Sequence, residues 1–70
     1  MRLSKEDLAA RLAGGHEVHY VICIDPPVGA WIDAWFDSFE DAWEHANKAR
    51  ISEPHLAFEA HNLLTENSFI

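Results

Sequence analysis

The sequence predicts an α+β domain in which a single-layer antiparallel sheet packs with two helices, in the order α-β-β-α-β with a further short strand at the end. Three observations predict it. The stretches Glu17 to Ile24 and Ala30 to Asp37 alternate with a period of two and are separated by the turn-forming run DPPVG. Two other stretches open on capping pairs, Ser4 with Asp7 and Ser38 with Asp41. Seventy residues make one domain, and a chain of about 60 residues buries only about 60% of its unfolded surface, so the core is small.

The first helix is expected over Leu3 to Ala13. Ser4 caps it, Leu3 can staple to Leu8, and Gly14-Gly15 stops it. Leu8 and Leu12 share one narrow apolar stripe, which predicts docking against an edge or face of the sheet.

Along the first strand, Val18, Tyr20, Ile22 and Ile24 point one way and His19, Val21 and Cys23 the other. Pro26 and Pro27 cannot join a ladder, and Gly29 supplies the positive φ that the turn requires. In the second strand Ala30, Ile32, Ala34 and Phe36 share a face, expected to meet the core with Tyr20 and Ile22. The opposite face then carries Trp31, Asp33, Trp35 and Asp37 beside His19 and Val21. Trp31 and Trp35 either form an exposed amphipathic patch of the kind enriched at interfaces or cover a second layer of the same domain.

After Ser38, the residues Phe39, Ala42, Trp43, Ala46 and Ala49 recur at helical spacing, which makes Trp43 an expected core anchor. Glu40, Asp41 and Glu44 lie in the first turns and Lys48 and Arg50 in the last, matching the helix dipole, and Glu44 can pair with Lys48. SEP at 52–54 ends the helix. HLAFEAHNLLTENSFI reads either as a helix or as a strand through Leu56, Phe58 and Ala60 followed by a TEN turn and a terminal SFI strand, with Phe58 and Phe69 in the core; the strand is preferred.

Charge narrows the function. The chain has 5 Lys plus Arg against 12 Asp plus Glu, a net charge of -7, and no Lys or Arg between Leu12 and Asn47. Such a field repels nucleic acid and anionic membranes, attracts a basic surface, and also serves solubility. Cys23 is the only cysteine, so no internal disulfide forms, which fits a reducing compartment. MRLSKEDLAARLAGG lacks the apolar run of a signal peptide, and no later run reaches the roughly 20 residues of a membrane span, so a cytoplasmic protein is expected.

No Gly-rich phosphate loop is present, and Cys23 within HYVICI reads as an inert buried thiol. Asp33 and Asp37 are spaced too loosely to divide acid and base roles, so no catalytic residue and no cofactor are assigned. Five histidines include His16 and His19 around Glu17, and His61 with Glu59, but neither HxxxH nor a cysteine pair nucleates a metal site, and the histidines are expected exposed at strand ends.

Strand, strand, then SFEDAWEHANKA between Tyr20 and Ala49 resembles the HicB-like antitoxin pattern of a hairpin followed by a capped helix with spaced alanines, which implies toxin neutralisation. The proline-glycine-cysteine signature of that pattern is lacking before the helix. Small size, acidity and the absence of catalytic motifs also make the chain similar in character to phage-encoded anti-CRISPR inhibitors, which implies occupation of a basic nucleic-acid channel. The expected function is a non-enzymatic inhibitor or adaptor presenting Trp31, Asp33, Trp35, Asp37, Glu40, Asp41 and Glu44 to a basic protein, with no direct contact to nucleic acid or membrane. A homodimer that buries the same tryptophan face and a His-rich metal-binding module are the alternatives.

Overall fold

A computed structural model describes residues 1–63 of the chain. The elements are α1 (Lys5–Ala13), β1 (His19–Asp25), β2 (Gly29–Phe36), α2 (Phe39–Ser52) and β3 (Ala57–Asn62). The sheet is antiparallel with strand order β2-β1-β3, so the α+β class and the order α-β-β-α-β follow the sequence. Residues 57–62 form a strand, as preferred. The TEN turn, the SFI strand and Phe69 lie outside the described residues.

The local signals act as their chemistry requires. The Ser4 hydroxyl accepts from the Asp7 amide at 3.2 Å, and the Ser38 hydroxyl from the Asp41 amide at 3.3 Å. Gly29 adopts φ 134, a region that favours glycine, and the Val28 amide donates to the Asp25 carbonyl at 2.9 Å to close the hairpin. Ser38→Ala is therefore expected to cost about 1 kcal/mol of unfolding free energy, read by urea titration with an unchanged m value.

The core lies between α2 and one face of the sheet. It comprises Val21, Cys23, Ala34, Phe36, Ala42, Ala46 and Phe58, with Ala49, Leu56 and Ala60 packed against it. This reverses the expected sidedness of β1: the face of His19, Val21 and Cys23 meets the helix, and the face of Tyr20, Ile22 and Ile24 turns away. Both faces of β1 are apolar, so alternation identifies a strand without choosing its inner side.

A bulge changes β2. Its register pairs Phe36 with His19, Trp35 with Tyr20 and Ala34 with Val21, then slips so that Ile32 meets Ile22 and Trp31 meets Cys23. Asp33 is the extra residue. Directly opposed residues share a face, so Trp31, Ala34 and Phe36 lie on the α2 side while Ala30, Ile32 and Trp35 lie on the other. The expected common face of Ala30, Ile32, Ala34 and Phe36 is thus divided, and so is that of Trp31 and Trp35.

Two helix expectations also change. Ala42, Ala46 and Ala49 form the inward stripe of α2, whereas Phe39 and Trp43 are 51% and 55% exposed. At 100° per residue, Phe39 and Trp43 are rotated by about 60° and 100° from Ala42. A three-stranded sheet is only about 10 Å wide between its outer strands, too narrow to cover the whole stripe, and alanine lets the helix sit close. In α1 no residue is buried and Leu12 is exposed, so α1 does not contribute to the core. It is tethered by the Arg11 guanidinium, which donates to the Glu17 carbonyl at 2.7 and 3.0 Å.

Residues 1–3 add a short pairing to the outer edge of β2. Arg2 bridges Phe36, the Leu3 amide donates to the Trp35 carbonyl at 2.8 Å and the Asp37 amide to the Met1 carbonyl at 3.2 Å. Part of an otherwise open strand edge is satisfied in this way.

Candidate partner-binding surface

The fold places the seven sequence-predicted residues in three settings. Trp31 and Asp33 lie on the α2 side of β2, where the Asp33 carboxylate meets the His45 Nε2 at 2.6 Å. Asp37, Asp41, Glu40 and Glu44 follow around the start of α2. Trp35 lies on the opposite face, its ring 5.3 Å from that of Tyr20, which stacks in turn on His61 at 5.6 Å. Trp35 is half-buried in an internal aromatic row, so the two strand tryptophans do not form one patch.

Much of the expected acidic band is neutralised within the molecule. The Met1 amino group pairs with Asp37 at 2.7 Å and also contacts Asp41. Glu44 pairs with Lys48 at 3.0 Å, as the spacing predicts, while Asp33 keeps its charge to the surface with one carboxylate oxygen hydrogen-bonded to the His45 ring. Glu40 is exposed and has no ion pair among the described residues. Between the amino-terminal segment and α2 lies a shallow cleft of about 280 Å³, lined by Phe36 and His45 with Arg2, Asp41, Glu44 and Lys48 around them.

The Met1 amino group, by donating to the Asp37 carboxylate, holds that carboxyl below its ordinary value. A carboxyl depressed on folding contributes stability that is present above its unfolded value, about 3.9, and is lost as pH falls through the folded one. Asp37→Asn is accordingly expected to be less stable than the parent at pH 7, with the difference closing in acid below about pH 3.9. Thermal melts of both proteins from pH 7 to 3 test this, and a constant difference contradicts it.

The histidines are not a uniform exposed set. His19 is buried, contrary to expectation, with Nε2 on the Glu17 carboxylate, its ring edge-on to Phe39 at 5.8 Å, and Nδ1 without a hydrogen-bond partner. His61 pairs with Glu59 at 3.0 Å, consistent with their shared strand face. Among the described residues no group of three or more His, Cys, Asp or Glu is arranged to hold a metal ion. Burial pushes the Cys23 thiol up, and nearby Asp33, Glu53 and Asp25 push it further, which disfavours the thiolate a nucleophile would need.

What sequence reasoning missed is the exposed side of α2. Phe39 and Trp43, four residues apart, form an aromatic ridge on the flank that faces β3, where Arg50 donates to the Phe58 carbonyl at 2.6 and 3.2 Å. The available signal was the 42-46-49 alanine series, which traces a complete inward stripe without either aromatic. No helix in the described residues is long and apolar enough to cross a membrane. Comparisons with protein-family models, curated proteins and solved structures find no match to the chain.

Proposed function

We propose that the chain is a non-enzymatic protein-binding inhibitor that presents an acidic, tryptophan-bearing surface to a basic, nucleic-acid-binding partner. Its centre is moved from the Trp31–Trp35 pair to the outer side of α2. One observation carries this reading: α2 turns its alanines inward and leaves Phe39 and Trp43 about half exposed. Burying large aromatic side chains is a main source of affinity at interfaces, whereas on a free surface they add nothing to the core. Further support comes from Glu40, an exposed carboxylate beside the ridge, and from a net charge of -7, which speeds encounter with a cationic surface.

Quantitative capture of basic proteins from lysate by the immobilised chain, at low and high salt, tests the reading when Glu40→Lys is run beside the parent. Charge reversal should reduce capture and flatten its salt dependence. Equal capture by the two proteins would exclude an electrostatically guided partner at this helix.

A homodimer remains a second reading because the sheet face away from α2 exposes Ile32 in a row with Ile22. That dimer would use Ile32 rather than the tryptophan pair. Sedimentation across a dilution series reads it directly.

A further inference from the structure

The hairpin end of the sheet, like the α2 ridge, sets an exposed aromatic ring beside carboxylates that have no ion pair among the described residues. Trp31 occupies the rung opposite Cys23, on the α2 side of β2, and is 44% exposed. Three carboxylates belong to this end of the chain's path. Asp25 closes β1 at the hairpin, Asp33 lies two residues beyond Trp31, and Glu53 is the C-cap of α2. The chain from Glu53 leads through Leu56, packed on the core, to Ala57 opposite Ile24, which brings the end of α2 to the same end of the sheet. Asp25 stands two residues from Cys23 on the same face of β1, diagonal to Trp31 across the hairpin, and Asp33, Glu53 and Asp25 add to burial in raising the Cys23 pKa.

Folding does not account for this arrangement. A carboxylate at a helix C-terminus opposes the dipole, and the α2 cap places Glu53 there. Among the described residues neither Asp25 nor Glu53 forms an ion pair. The two cations of the last turns are already engaged, Lys48 with Glu44 and Arg50 with the Phe58 carbonyl and Asn47. An exposed indole face in a negative field is complementary to a planar cation, because a guanidinium stacks on the ring while its N–H groups donate to carboxylates.

We propose that Trp31 receives an arginine side chain of the partner, stacked on the indole, with Asp25 and Glu53 supplying the carboxylates that are free of ion pairs among the described residues. This rests on the proposed function, since it presumes a basic partner, and it specifies the contact that such a partner makes. The α2 ridge supplies apolar area; the Trp31 site selects the guanidinium.

The test is an NMR titration of the full chain at low salt with a hexapeptide of alternating arginine and glycine, and with its citrulline counterpart, which keeps the shape and loses the charge. The arginine peptide should shift the Trp31 indole N–H and the amides of Asp25, Asp33 and Glu53 saturably, and the citrulline peptide should not. Trp31→Leu, which keeps apolar bulk without the aromatic ring, should weaken binding roughly threefold to thirtyfold. Glu53→Gln should weaken binding while raising the melting temperature, a combination that a purely structural glutamate would not give. Equal shifts with citrulline, unchanged binding by Trp31→Leu, or arginine-induced shifts confined to Phe39 and Trp43 overturn the assignment. The last of these leaves the basic-partner reading standing, whereas no shift anywhere removes both.

Discussion

Phe36→Ala is expected to lower the unfolding free energy by about 3–5 kcal/mol, the range for deleting a buried aromatic side chain. Phe36 is buried in the cluster with Val21, Ala34 and Ala42, and its ring lies 5.2 Å from that of His45. It is also the strand residue bridged by Arg2 and paired with His19, so its side chain sits where three pieces of the chain meet. A 70-residue domain has roughly 4–10 kcal/mol of stability in total, and this single change removes a large part of it. Urea unfolding followed by fluorescence measures the loss. A cost below about 1.5 kcal/mol would mean that the helix-facing side of the sheet is not the core.

The same deletion on α2 should have the opposite signature. Trp43→Ala removes a ring that is about half exposed and should change stability by no more than about 0.5 kcal/mol, helped by the high helix propensity of alanine, whereas Phe39→Ala also uncovers His19 and should cost about 1 kcal/mol. Binding to the basic partner should fall by about 2 kcal/mol or more at Trp43, roughly thirtyfold in Kd. Phe39 has a smaller expected effect, because part of its ring is already occupied against His19. Calorimetric titration of the captured partner, with circular dichroism to verify folding, reads both quantities. Unchanged affinity in the double variant would remove the aromatic ridge from the interface.

These contrasting expectations for Phe36 and Phe39 mark where the sequence is informative. Period-two alternation, the DPPVG turn and the two serine caps identify the elements because each signal depends on neighbours within four residues. Glu44 with Lys48 and Glu59 with His61 are equally local, being fixed by one helical turn or one strand repeat. His19 is harder: a histidine at the start of a strand looks exposed until Phe39 closes over it from a distant element.

The candidate site was legible in composition more than in geometry. Carboxylates and tryptophans mark the region from Trp31 to Glu44, yet its division among an internal aromatic row, a helix ridge and the hairpin end depends on contacts between elements. Asp37 shows the limit most clearly, since its counter-ion is the Met1 amino group, 36 residues away.

By itself, then, the sequence determines one small α+β unit, its element order, its capped helices and its acidity, all of them properties of local pattern and composition. Tertiary structure alone decides which face of β1 is inner, because both faces are apolar and only the close fit of the α2 alanines selects Val21 and Cys23. It also decides that Trp31 and Trp35 part company. The single extra residue Asp33 reverses the strand's parity, and a bulge is stabilised by cross-strand pairing and the reach to His45 rather than by any preference its own neighbours encode.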